Sequence, residues 1–361
     1  MSNNLVFKAG KKAFEHIKSQ GLCSHDVKVI AGAAGGPKWL ILGHLDRILF
    51  TQWFKDRQEP LFLLGSSSGA WRFAAASQFD PVAAIERFQK AYIHQSYESK
   101  PLPETVSMEA WKILDHLLDR NGQEEILNHP FLRLNFMAVK CKGLTANDDK
   151  IKLFSGFILA MMANFIDRKS LKIFFERVLF YDPRNFPPFG NMNTFPITKI
   201  PLNKQNIQPA LLSSGSIPLV MSGIDNIPGS FPGVYRDGGI IDYHMDIPFL
   251  SKDKGIVLYP HYTDRIVPGW LDKNVFWRKP SLSNMENVLL VSPSPAFLEK
   301  LPYKKIPDRK DFYRFEGRDS ERIAYWYKAV DMSQKLGEEF INAVETDKIR
   351  KCIQPFSFQP E

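Results

Sequence analysis

A serine set among small residues can serve as a nucleophile, and the segment Gly65-Ser66-Ser67-Ser68-Gly69 has that form. The pattern G-x-S-x-G lets the backbone turn sharply between a strand and a helix. The central hydroxyl, Ser67, then stands at a helix N-terminus, where it can attack an acyl carbon. Two other segments carry complementary chemistry. In Ala34-Gly35-Gly36-Pro37-Lys38 the glycines allow close backbone approach, and their N–H groups can face a developing negative oxygen. In Asp237-Gly238-Gly239 a carboxylate is followed by residues that let it lie close to another backbone segment. Each also has a plainer reading: a Ser-rich turn, a strand–helix turn and a β-turn.

Competing chemistry is weaker. A phosphate-binding P-loop needs Gly before its Lys and Ser or Thr after it, whereas Lys38 lies between Pro37 and Trp39. The dinucleotide pattern G-x-G-x-x-G is absent from this loop. The histidines, His44 and His116 among them, show no metal-ligand spacing such as H-E-x-x-H. No metal or cofactor is therefore expected. Cys23, Cys141 and Cys352 are far apart and odd in number, which speaks against a disulfide framework and fits a reducing compartment.

The elements that must position these residues are two strand–turn–helix units. The β-branched run Val27 to Ala31 enters the glycine loop, and a helical pattern follows from Lys38 to Phe54. Pro60 to Leu64 enters the serine turn, and the Ala-rich stretch Ala70 to Phe79 follows it. Such units imply an α/β protein with a mostly parallel central sheet. Residues 5–20 and most of 80–190 read as helical. Arg168 to Tyr181 reads as an amphipathic aromatic helix, either packed on the core or lying on a lipid surface. Leu153 to Ile166 is too short for a membrane span and reads as a buried helix. Loops are expected from Ala210 onward, buried strands at Ile256 to Tyr259 and Val288 to Val291, and a terminal helix over about 320–345.

The 361 residues are 44% apolar, enough for a full core, and include 28 Phe, which suit a packed interior or a cleft for apolar ligands. The formal charge of +8 is spread along the chain without a basic–aromatic block, so no nucleic-acid partner is expected. No signal-like apolar run opens the sequence, and a cytoplasmic location is expected, with peripheral contact at a membrane surface.

In this order and spacing, the three segments resemble the patatin-like phospholipase family. That family has a glycine-rich loop followed by Lys or Arg, a G-x-S-x-G turn, and a later D-G-G or D-G-A. The resemblance runs from about Val27 to Pro248 and implies a three-layer α/β/α sandwich as a single domain over 1–361. It carries a mainly helical insertion at about 80–205. Carried over, Ser67 is the nucleophile and Asp237 the base of a Ser–Asp dyad. Gly35 and Gly36 supply the oxyanion hole, with Lys38, Gly65, Gly69, Gly238 and Gly239 in support. Leu212 to Pro218 resembles the small-residue stretch before the family's Asp. The implied substrate is a phospholipid or other lipid ester. The chain departs from the pattern at Ala34, Trp39 and Pro37, which has no N–H to donate, and its Pro248 falls late. The enzymatic alternative is an α/β-hydrolase triad, with His244 or His261 after Asp237 in that fold's chain order. A non-catalytic lipid-binding protein of the same fold would have no need for both Ser67 and Asp237.

Overall fold

The computed structural model describes residues 4–97, 101–250 and 254–356. The ends of the expected 1–361 span lie outside them. One sheet organises the chain. Its strands are β1 (Leu5–Ala9), β2 (Val27–Gly32), β3 (Leu61–Ser66), β4 (Leu132–Cys141), β5 (Phe175–Tyr181), β6 (Ile197–Pro201), β7 (Ile224–Asp225), β8 (Val234–Asp237), β9 (Ile256–Pro260), β10 (Val288–Pro293) and β11 (Gln354–Pro355). Their order is β11-β1-β10-β9-β2-β3-β4-β5-β6, with β8 joining β4 and β7. The central run β10-β9-β2-β3-β4 is parallel throughout.

Successive residues of a strand face opposite sides of a sheet. Every residue of β9 and β10 is buried, so both faces are covered. Helices do the covering, and the result is an α/β sandwich with a mostly parallel sheet, as the alternating strand–helix pattern implies. The helices used below are α1 (Lys11–Gln20), α2 (Gly43–Ile48), α3 (Ser68–Ala76), α4 (Pro81–His94), α5 (Pro103–Leu118), α6 (Gly122–Asn128), α7 (Lys150–Ile166) and α8 (Ile207–Gly215).

Several sequence expectations change. Residues 5–20 split into β1 and α1, parted by Gly10, whose N–H bonds to Val288 O at 2.9 Å. The stretch 80–205, expected to be mainly helical, holds helices α4 to α7 and also three strands, β4, β5 and β6. All but one residue of β4 is buried, so the alternation Leu132-Arg133-Leu134-Asn135-Phe136 gives way to the continuous apolar run Met137-Ala138-Val139. Arg168 to Tyr181 is not an amphipathic helix. It is a short 3₁₀ turn (Arg168–Ile173) followed by β5, whose Arg177 is buried and makes paired 2.7 Å bonds to both Asp242 oxygens. A buried, fully paired arginine looks like a polar surface position in the sequence. The terminal helix is two helices, Asp319–Met332 and Gln334–Glu345, divided at Ser333.

The helix expected to be buried, α7, is half exposed. Leu153, Phe157 and Ala160 pack into a small cluster with Val139, Leu171 and Phe175. Its opposite side leaves Ile151, Phe154, Leu159, Met162, Phe165 and Ile166 exposed. Among the described residues, no helix is long and apolar enough to cross a membrane.

Candidate active site

Strand β4 brings the site together. Its first half pairs with β3, ending where Ser66 lies opposite Met137. From the next residue the same edge pairs with β8 instead, and Ala138 lies opposite Asp237. β3 runs parallel to β4 and β8 antiparallel, so the two strands meet with their C-terminal ends facing. Ser67 and Asp237 occupy that junction. The Ser67 hydroxyl donates to Asp237 Oδ2 at 2.7 Å, across 170 positions of sequence. Both side chains are buried.

Ser67 itself has φ 54° and ψ −126°. A non-glycine residue in such a region costs about 1–3 kcal/mol and persists only where its surroundings impose it. Here the Ser67 N–H donates to Ser214 Oγ at 3.0 Å, and that hydroxyl donates onward to Met137 O at 2.6 Å. Helix α8 thus ties the turn to β4. Gly69 permits the close approach that follows, since a Cβ there would lie 2.1 Å from Gly32 O at the end of β2. Of the loop region expected from Ala210, the part up to Gly215 is the end of α8, and the rest up to Gly233 is mostly irregular as expected. That helix end positions Ser214 and, through Ser216 O, accepts the Asp237 N–H at 3.0 Å.

Asp237 is held on its other oxygen by the Gly239 N–H at 2.7 Å. Burial pushes its carboxyl above the ordinary range, partly opposed by Arg309 and by the bond from Ser67. The turn that follows is anchored by Asp242 on Arg177.

Gly35 and Gly36 lie between β2 and a short 3₁₀ helix over Gly36–Leu42, with α2 beyond. Gly36 has φ +56°. Pro37 occupies the first turn of that helix, where a missing N–H costs nothing. Trp39, where the family pattern has a small residue, is buried and stacked on Phe88 of α4 at 4.2 Å. It fills the space beneath the loop. Lys38 rests over the Tyr262 ring at 4.8 Å, and burial lowers its pKa. Gly35, Lys38, Ser67, Asp237 and Gly239 line one cavity of about 200 Å³. A larger cavity of about 620 Å³ shares Ser67, Ile217 and Arg309 with it and is walled by Trp71, Tyr92, Val106, Ala110 and Ile113. Gly65, next to last in β3, lies against Ala70 of α3, and Gly238 lies against Met137 O of β4.

His244 is not part of this junction. Its Nδ1 accepts the Val267 N–H at 2.9 Å, and its Nε2 meets the Tyr262 hydroxyl at 2.7 Å. That hydroxyl donates to Ala34 O at 2.6 Å, so Nε2 is the protonated nitrogen of a neutral ring. Burial and nearby His261 hold its pKa well below the ordinary value. His244 therefore braces the glycine loop through Tyr262. The neighbouring His261 is buried as well, with its pKa down to about 3. Among the described residues, no group of three or more His, Cys, Asp or Glu side chains is placed to hold a metal ion.

Sequence reasoning did not single out Ser214 as the tie of the turn, nor Tyr262, Trp270, Lys273 and Arg309 around the cavity. The small-residue stretch 212–218 was the one signal for Ser214. The cations had none, being unremarkable among the 47 Lys and Arg of the chain.

No family model matches the chain, and no curated protein does. Among solved structures, the crystal structure of VipD from Legionella pneumophila overlays with a TM-score of 0.34 at 10% identity. That overlay covers 92% of this chain and 72% of VipD. At this level it carries no weight for activity.

Proposed function

We propose that the chain is a serine acyl hydrolase of lipid esters, working through a Ser67–Asp237 dyad in the manner of the patatin-like phospholipases its motifs resemble. The observation that carries this reading is the 2.7 Å bond from the Ser67 hydroxyl to Asp237, made at a strained turn that lines both cavities. In the reaction, Ser67 Oγ attacks the ester carbonyl as its proton passes to Asp237 Oδ2. The carbonyl oxygen takes up negative charge beside the Gly35 and Gly36 N–H groups, which head a 3₁₀ helix and have no acceptor within it. Collapse of the tetrahedral intermediate expels the alcohol, protonated by Asp237, and leaves an acyl-serine. Water attacks the acyl-serine, gives its proton to Asp237 and releases the fatty acid. Serine regains its proton, and the cycle closes. The apolar cavity beside Ser67 suits the acyl chain.

The outer side of α7 supports contact with an anionic membrane surface. Its exposed apolar residues are flanked by exposed Lys150, Lys152, Lys169 and Lys172. The nearby acids are already engaged: Asp149 caps α7 through the Lys152 N–H, and Asp167 caps the following turn through the Lys169 N–H. Phe157, on the packed side of α7, meets the cavity residue Trp270 edge-on, so the helix as a whole adjoins the site.

Labelling with a fluorophosphonate and turnover of a p-nitrophenyl ester test the chemistry. Wild type should be labelled at Ser67 and hydrolyse the ester. Ser67→Ala should lose both. Asp237→Asn should lose turnover by about 10⁴-fold, the scale seen when a base is disabled in such sites. Folded wild type that is neither labelled nor active would sink the reading, leaving a binding protein of this fold.

A further inference from the structure

Ser67, Ile217 and Arg309 are the three described residues that line both cavities, so they mark the seam where the two meet. An ester with its acyl chain in the larger cavity and its alcohol in the smaller has its carbonyl at that seam. The nucleophile stands there, and so does a cation from outside the stretch of resemblance, which ends near Pro248. Lys38 and Lys273 line only the smaller cavity and rest over rings, those of Tyr262 and Tyr243. Arg309 instead lies against the glycine loop: a Cβ on Gly36 would come 2.8 Å from its Nε and 3.3 Å from its Nη2. Gly36 is one of the two glycines whose N–H groups face the oxyanion in the proposed reaction, and Pro37 leaves that loop one donor short.

The segment that carries Arg309 is held in place. Asp311, buried two residues on, takes the Asp308 N–H at 2.8 Å, the Trp326 indole N–H at 3.0 Å and the Lys305 ammonium at 2.7 Å. The Tyr325 hydroxyl donates to Lys305 O at 2.7 Å. A braced turn thus presents the guanidinium, as a preorganised charge requires. In the resting site the negative charge is on Asp237. Arg309 acts on that carboxylate across the cavity, but its two oxygens take their hydrogen bonds from Ser67 and Gly239. As Ser67 attacks, its proton neutralises Asp237 and the charge passes to the carbonyl oxygen. The guanidinium N–H groups remain to bond that oxygen. A bond made only as the charge arrives lowers the barrier without tightening the hold on substrate. Resting on the acyl-hydrolase reading, we infer that Arg309 is a catalytic residue, a side-chain oxyanion donor that completes the hole begun by the Gly35 and Gly36 N–H groups.

A neutral ester, p-nitrophenyl butyrate, tests this donor apart from any recognition of a charged substrate. Arg309→Met should lower kcat by about 10²–10³-fold with KM within about twofold, and Arg309→Lys should regain about tenfold or more. A trifluoromethyl alkyl ketone mimics the transition state: Ser67 Oγ adds to its carbonyl carbon, the serine proton passes to Asp237, and the carbonyl oxygen becomes an alkoxide. The corresponding secondary alcohol has nearly the same shape and cannot add. Arg309→Met should weaken ketone binding by the factor lost in kcat/KM, and alcohol binding by about twofold at most. Circular dichroism and melting report whether the variants fold, and Arg309→Gln carries the same comparison if Arg309→Met does not. A folded variant with kcat within about threefold of wild type overturns the donor. So does equal weakening of ketone and alcohol, which would make Arg309 a packing residue. Wild type that neither hydrolyses the ester nor binds the ketone better than the alcohol fails earlier, at the acyl-hydrolase reading, and takes the inference with it.

Discussion

The carboxyl of Asp237 is buried and its pKa raised, so the folded protein holds its proton more tightly than the unfolded chain does. Between the ordinary carboxylate pKa and the raised one, the folded state binds more protons, and its stability falls as pH rises through that window. Asp237→Asn has no such proton to lose. Its melting temperature should match that of wild type in acid and exceed it at neutral pH, with the gap opening as pH rises. A thermal melt series in pH checks this, and a gap that narrows with pH would refute it. The proposed base must be ionised to work, so the acid limb of the rate profile should lie above the ordinary carboxylate range. At this scale the sequence was informative wherever geometry demands a residue type. Gly69 and Gly36 stand where a side chain would collide with Gly32 O or Arg309, and such demands leave glycine-rich signatures. Lys273 and Arg309 left none, because a cation's role depends on which rings and backbone it folds against.

Among the elements, the junction of β3 and β8 along β4 was not visible in the sequence. At the junction β4 carries Phe136 and Ala138 on one face and Met137 and Val139 on the other, and a stretch buried on both sides has no alternation to read. The same holds for β5, where Arg177 suggested an outward face. That arginine reaches Asp242, five residues beyond Asp237, and so fixes the chain just after the site. Removing one member of a buried pair leaves the other charged and alone, at a cost of about 3–5 kcal/mol. Arg177→Met should therefore lower the free energy of unfolding by about that much in urea titration. The double variant Arg177→Met, Asp242→Leu should recover a large part of it. If the single variant unfolds like wild type, the pair does not anchor the turn. Strands β2, β3, β9 and β10 were legible because short apolar runs there, β-branched in all but β3, lead into glycine or proline.

Across the whole molecule, the two cavities share Ser67 and Arg309, and α7 meets the smaller one through its packed side, where Phe157 touches Trp270. The sequence showed α7 only as an apolar run, and an apolar run does not say which side finds neighbours. Its exposed half bears on how a water-insoluble ester would be reached. Phe165→Ser with Ile166→Ser should weaken binding to phosphatidylglycerol vesicles by about tenfold, since each removes apolar surface from the interface. Wild-type binding should fall with added salt and be weaker on phosphatidylcholine. Turnover of a soluble short-chain ester should stay as in wild type. Sedimentation with vesicles checks the first three points, and wild-type binding indifferent to salt and lipid charge would remove α7 from the membrane.

The meeting of β3 and β8 on one edge of β4 also bears on when the serine becomes reactive. Neither strand can place its terminal residue alone; each needs β4 already laid down beside it. During synthesis Ser67 emerges long before Asp237, and its hydroxyl is then an ordinary, unactivated alcohol. For the proposed dyad, reactivity would arise only when the late strand docks, so an incomplete or unfolded chain would lack the competent pair and leave nearby lipid alone.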